Sequence, residues 1–319
     1  MVMIIELEKI DTFSGTQQWF SSSMPYRYTL DAIRYYDRYS FNNPNDRKEY
    51  SSYITLNKEI IGVLLATVSK GELTSQGMPL LYPYIEPKSV AAMDFAIVMK
   101  RVFNLLELEV KFAVSEIPMR CHFSFNPELT GANRRREVFQ NALYVDLSQD
   151  LSYIWSGIRK SYKSLINRGT RELLIATYSS ENITNEIWRD FRKLHFASAG
   201  RQTRSDQSWN AQFEMVKDNN AFLVTVQENG ELLGCSLFTF NSYEAIYSVA
   251  AFDRTRGDLP LGHISQWQAI QELKERKICW YRIGEVSEEQ EEDVKQVQIN
   301  HFKKGFATDI IPEYIVTTN

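Results

Sequence analysis

The chain has little cysteine: of its 319 residues only Cys121, Cys235 and Cys279 are of this type. An odd number, widely spaced among apolar or aromatic neighbours, excludes a disulfide framework and any paired ligand spacing, so buried thiols and no metal are expected. No apolar run approaches the ~20 residues of a spanning helix, and the opening MVMIIELEKID puts acids where a secretory signal carries basic residues. A cytoplasmic protein with no membrane span is expected. Positive charge is also not in excess. At a formal net charge of −4 there is no global field to attract nucleic acid or an anionic membrane, and any polyanion has to meet a local patch. With 9 Pro and 14 Gly, no Pro/Gly/Ser linker divides the sequence. What is present is apolar: 44% of residues are hydrophobic and 13% aromatic, enough for the cores of about two domains.

Two segments share one device. In ITLNKEIIGVLLATV (Ile54 to Val68) and VTVQENGELLGCSLFTF (Val224 to Phe240), an apolar run meets a polar turn, then Leu or Ile directly before a glycine (Ile61-Gly62, Leu233-Gly234), then a second apolar run. That pattern spells a β-hairpin. Its recurrence, each time followed by a helix-and-strand stretch, predicts a mixed α/β fold of two tandem units, 1–149 and 150–319, with function in a groove between them. The last helix can pack back on the first unit.

Along the first half the pattern predicts a helix near Asp31 to Tyr39, a long helix over Ser89 to Leu106, a strand at Lys111 to Val114 and a helix ending near Ala142. Leu143 to Leu147 alternate as a strand, and Ser148 is a candidate cap for one helix through LSYIWSGIRKSYKSLINRG. In that helix Leu151, Ile154, Ile158, Tyr162 and Leu165 share a face opposite Lys160 and Lys163, with Arg168 and Arg171 just beyond its end. These cations can hold a diphosphate or simply form a solvated face.

The second half reads as strand, two helices, three strands, then AFDRTRGDLPLGHISQWQAIQELKERKICWYRIGE. There a strand feeds an Arg/Gly loop that opens a helix, so free N–H groups around Gly262, His263 and Ile264 and the positive helix end favour a phosphate or pyrophosphate. Arg254 and Arg256, around Gly257, can add charge-assisted hydrogen bonds. An ordinary loop with solvated arginines is the alternative. In LHFASAGRQTRSDQSW, His195, Arg201, Arg204 and Trp209 crowd a helix end and loop, offering a proton carrier, an anion clamp and an aromatic wall for a sugar. The alternative is that His195 packs on its helix and Trp209 fills core. Glu285, at a strand's carboxyl end, is a second candidate proton acceptor. No Ser-His-Asp or Cys-His arrangement is readable. The acidic run Glu288 to Asp293 and the basic run Arg134 to Arg136 read as solvated surface.

The order of strand, Arg/Gly loop, helix and strand resembles the acetyl-coenzyme A binding segment of the GNAT acyltransferases. Together with VDLSQDLSYIWSGIRKSYKSLINRG, LHFASAGRQTRSDQSW and FKKGFATDIIPEYIV, it resembles the Fem-like (FemAB/FemX) branch, whose members carry two GNAT units. The resemblance implies an N-acyltransferase of the cell envelope, with acyl-CoA or acetyl-CoA as co-substrate and a nucleotide-linked or lipid-linked amino sugar of surface polysaccharide as acceptor. A tRNA-dependent aminoacyltransferase of peptidoglycan bridges is the alternative, and a non-catalytic glycan-binding module a third. It also implies that Lys303 in FKKGF holds acceptor phosphate or the leaving carboxylate, and that Lys160, Lys163, Arg201 and Arg204 converge with it. The chain departs from the GNAT loop pattern Gln/Arg-x-x-Gly-x-Gly/Ala at Leu259.

Overall fold

A computed structural model describes residues 4–10, 24–40, 48–69, 72–74, 83–86, 101, 111–115, 137–286 and 294–317. The chain divides into two compact units, Met1–Asn141 with Ile311–Asn319, and Ala142–Ile310. The sequence reading placed the division at 149. The difference lies in one long strand whose second half belongs to the second unit's sheet.

In the first unit β1 (Ile5–Lys9), β3 (Ser52–Leu56), β4 (Glu59–Leu64) and β7 (Pro83–Ile85) form a sheet in the order β1-β3-β4-β7. Three short strands, β2 (Lys48–Glu49), β5 (Thr67–Ser69) and β6 (Glu72–Thr74), form another, and the unit also contains helix α1 (Leu30–Ser40). Strand β8 (Lys111–Ser115) pairs with the end of the chain's last strand. Ile33, Val63, Leu65 and Tyr84 close a core over the larger sheet. The expected helix over Ser89 to Leu106, apart from Arg101, lies outside the described residues, as do Cys121 and both predicted charge runs.

The second unit is built on β9 (Glu137–Asp146), β10 (Leu174–Tyr178), β11 (Ala221–Glu228), β12 (Glu231–Phe240), β13 (Glu244–Phe252) and β14 (Trp280–Val286), ordered β10-β11-β12-β13-β14-β9. Its helices are α2 (Leu151–Gly157), α3 (Lys160–Glu172), α4 (Asn185–Ala199), α5 (Asp206–Lys217), α6 (Leu261–Glu275) and α7 (Val294–Lys304), before β15 (Asp309–Thr317). Phe222, Val224 and Phe238 pack with Ile154, Tyr162 and Ile166 of α2 and α3 and with Ala269 and Ile270 of α6. Because side chains alternate along a strand, Leu223 and Thr225 point the other way; they too are fully buried. Both faces of β11 are therefore covered, which is why AFLVTV has no polar alternation. Burying each large side chain of this core is worth about 1.5–3 kcal/mol.

Five local expectations are corrected. Residues 137–142 extend β9 rather than end a helix, since EVFQNALYVD continues the strand alternation backwards. The single helix from Leu151 is two, broken where Ile158 and Arg159 turn to ψ 137° and 131° and the Arg159 N–H leaves the ladder for the Gly305 carbonyl. Arg168 and Arg171 consequently lie within α3, and Ser148 donates to Asp146 instead of capping, Asp150 being the N-cap residue. Cys235 is buried, with its thiol pushed well up by burial, but Cys279 is exposed. Among the described residues no helix is long and apolar enough to cross a membrane.

Candidate functional site

The second sheet contains a slot. β13 and β14 run parallel but pair only from Glu244–Trp280 to Ile246–Arg282, although β13 continues to Phe252 and β14 to Val286. The cause lies on the other edge of β13. Phe238 pairs with Tyr247 and Leu237 with Val249, so Ser248 is an extra residue in the ladder. Such a bulge bends and twists its strand, here carrying β13 away from β14. Thr239 and Ser248 hold it, with their hydroxyls 2.7 Å apart. Past the last pair, the β14-facing backbone polar groups of β13 border the opening. On β14, Arg282 of the last pair lies 3.6 Å from Glu285 further along the strand, and Lys303 of α7 packs over Gly284. Burial lowers the Lys303 pKa, with Glu285 opposing and Arg282 adding to the shift.

β13 feeds the loop that sequence singled out. Asp253 accepts from the Thr255 N–H at 2.8 Å and opens a single 3-10 turn, Arg254–Arg256. Arg254 and Gly257 are exposed, whereas Arg256 is bound to Glu228, which with side-chain hydrogen bonding as the leading cause raises its pKa. Arg168 of α3 reaches the Asp258 carbonyl at 3.2 Å and its carboxylate at 3.9 Å. Helix α6 starts after Pro260, which gives no side-chain cap bond. A Cβ at Gly262 would meet Phe302 at 3.2 Å and Phe252 at 3.6 Å. His263 stands edge-on to Tyr162 at 4.5 Å and Phe302 at 5.1 Å, its pKa lowered to about 4 by burial and then Arg159. Carboxylates and aromatic rings thus surround the position expected for a pyrophosphate.

The third assembly is a cleft of about 370 Å³ between α4 and α5. Thr184 caps the start of α4 through the Ile187 N–H, and Gly200 ends it at φ +70°, a left-handed conformation that glycine adopts without a Cβ penalty. Ser205 then caps α5 through the Ser208 N–H. Only Arg201 to Arg204 are left between the two caps, which forces both arginines into the same short loop. His195, Arg201 and Trp209 line the cleft together with Arg189, Arg192 and Lys193. Arg204 donates to His195 Nε2 at 3.0 Å and lies 5.7 Å over the Trp209 ring.

Because an arginine can only donate, the Nε2 lone pair of His195 is already engaged. Burial, then Arg204, lowers its pKa to about 4. Trp209 is 4% exposed and packs on Trp188 and Phe191, so it offers the cleft an edge rather than a wall. Arg192 pairs with Asp206 and Lys193 with Asp190, while cations still outnumber the single acid in the lining.

The structure brings His195, Arg201, Arg204 and Trp209 together, and Glu285 with Lys303. Lys160 and Lys163 are not in the cleft lining. Lys160 is exposed, and Lys163 donates to the Ser156 carbonyl at 2.9 Å across the α2–α3 break. The sequence reading missed Arg189, Arg192 and Lys193, although their helical spacing before His195 and Phe196 was a usable signal. It also missed the Ser248 bulge, which left no mark in the sequence, and Gln266, a wholly buried polar residue on the apolar stripe of α6.

No family model matches the sequence, nor does any curated protein. Solved structures do match its fold. A crystal structure of FemX aligns with TM-score 0.59 at 11% identity, over 89% of this chain and 94% of that one. A protein of unknown function from Bacteroides thetaiotaomicron aligns with TM-score 0.61 at 9% identity, over 99% and 100%. The tandem GNAT protein of the clavulanic acid biosynthesis pathway aligns with TM-score 0.52 at 13% identity, over 99% of both chains. The chain shares its fold with FemX and with this tandem GNAT protein.

Proposed function

We propose that the chain is an acyltransferase that moves an acyl or aminoacyl group onto the amine of a phosphate-bearing amino sugar, nucleotide-linked or lipid-linked, in bacterial surface polysaccharide assembly. The observation that carries this reading is the slot: two parallel strands part beside a bulge, leaving β13 backbone donors for the oxyanion that forms when an amine attacks an ester or thioester carbonyl. Glu285, with an exposed carboxylate at the slot's end, accepts the amine proton, a role for which the engaged His195 is less suited. Arg201 and Arg204 hold the acceptor phosphate, and Lys303 the leaving group. Arg201→Ala should raise KM for the phosphate-bearing sugar more than for the same sugar without phosphate. Equal losses on both would contradict phosphate recognition.

The loop favours a donor that places no pyrophosphate there, since Asp253, Glu228 and Asp258 would oppose it and the last two already neutralise Arg256 and Arg168. An aminoacyl-tRNA is such a donor, its aminoacyl group passing to the same amine. Acyl-CoA is the second reading, favoured by the start of α6, where Pro260 leaves first-turn N–H groups without a side-chain cap. Thermal-shift titration with acyl-CoA and with aminoacyl-tRNA separates the two. If acyl-CoA binds, Arg256→Ala should weaken it by roughly 1.5–3 kcal/mol, and unchanged affinity would remove the loop from the donor site.

A further inference from the structure

Gln266 is polar, wholly buried and only half satisfied. Its Oε1 accepts the Tyr281 hydroxyl at 2.5 Å. Its Nε2 makes no well-formed hydrogen bond, the Tyr247 hydroxyl being the neighbouring oxygen, and neither does the Oγ of the adjacent, buried Ser265. The Tyr247 hydroxyl lies against Ser236 and Gln266, both of which lower its pKa against the burial that raises it to about 12. Buried amide N–H groups without a well-formed hydrogen bond are rare in folded proteins, and an oxygen from outside the chain would complete the set that Tyr247 leaves unfinished.

The position of this amide gives it a use. Tyr281 belongs to the last stretch where β14 pairs with β13, and Tyr247 is the first residue of β13 beyond it. The amide therefore lies at the apex of the slot, where the strands begin to part. Every side chain that engages it is uncharged. A carboxylate or phosphate drawn in would lose its water without gaining a counter-charge, which is strongly unfavourable. An aliphatic group would leave Nε2 unsatisfied. A neutral oxygen satisfies both conditions.

We propose that Gln266, with Tyr247 and Ser236, recognises the transferred acyl group and selects one bearing a neutral hydrogen-bond acceptor, a hydroxyl or carboxamide oxygen, close to its carbonyl. The proposal rests on the slot being the donor site. Matched pairs of probes differing by one hydroxyl test it by calorimetric titration: 3-hydroxybutyryl-CoA against butyryl-CoA, and the seryl against the alanyl amide of 3′-amino-3′-deoxyadenosine. Within whichever pair binds, the hydroxylated member should bind roughly ten-fold tighter, the scale of one well-made hydrogen bond. Gln266→Met, and separately Tyr247→Phe, which keeps the ring stacked on Phe238, should bring that ratio close to one. Equal binding of both members, or a preference that survives in both variants, overturns the pocket and assigns the amide to an ordered water. Binding of neither pair overturns the transferase reading together with the pocket, so the two failures are distinguishable.

Discussion

The hairpin β3–β4 of the first unit and the hairpin β11–β12 of the second share their register around the turn, yet their glycines face different neighbours. Both turn through two residues at positive φ, Asn57-Lys58 and Asn229-Gly230, the geometry of tight primed turns. In both, the register slips just after the pair that contains the glycine, Ile54–Gly62 in one and Val226–Gly234 in the other. A Cβ on Gly62 would run into the Tyr84 carbonyl of β7, whereas a Cβ on Gly234 would meet the Phe252 ring at 2.8 Å. Backbone in a sheet cannot move aside; a ring at the end of a strand can. The same device thus serves strand packing in the first unit. In the second it is coupled through Phe252 to Gly262 at the start of α6.

Gly62→Ala is expected to be the most damaging change, costing about 3 kcal/mol or more because β7 must be displaced. Denaturant unfolding would measure it, and a loss below that of Gly234→Ala would break the comparison. Gly234→Ala should cost about 1–2 kcal/mol, and it should change donor affinity through Phe252 and α6, an effect that Gly62→Ala lacks once both variants are held below their melting temperatures. The turns sharpen the contrast on a smaller scale. Lys58, at φ 71°, carries a strain that Gly230 at φ 83° avoids, so Lys58→Gly should stabilise by about 1 kcal/mol. Gly230→Ala should destabilise by a similar amount.

Acid sensitivity should separate the units as well. His195 and His263 both belong to the second unit, and both stay neutral in the folded state down to about pH 4. In the unfolded chain they protonate near 6.5. The unfolded state therefore binds more protons between those values, so stability is complete above about pH 6.5 and falls as pH drops towards 4. His195→Gln and His263→Gln should each flatten that fall, read as Tm against pH. An unchanged slope in both variants would place the acid-labile groups elsewhere.

Much of this was legible in the chain. The hairpins, the paired helices α4 and α5 and the strand–loop–helix–strand run through α6 are written by short-range patterning, which depends on neighbours a few residues apart. The Arg201 to Arg204 loop was readable for the same reason, since Gly200 and Ser205 are local stop and start signals. The break at Ile158 was not, because the Arg159 N–H leaves its helix for a carbonyl in Gly305, far away in sequence. Engagement of Arg256 by Glu228 and of His195 by Arg204 was equally hidden. A charge reads the same whether solvated or paired.

By itself, then, the sequence determined the two hairpins and most elements of the second unit, because helix period, strand alternation and turn chemistry are local properties. Only the tertiary structure decided where the second sheet parts. That depends on Ser248 finding no place in the ladder with β12, and the tertiary structure likewise decided that α6 carries Gln266 to Tyr281 rather than to water. Both result from pairing between segments distant in the chain, whose register no single segment specifies.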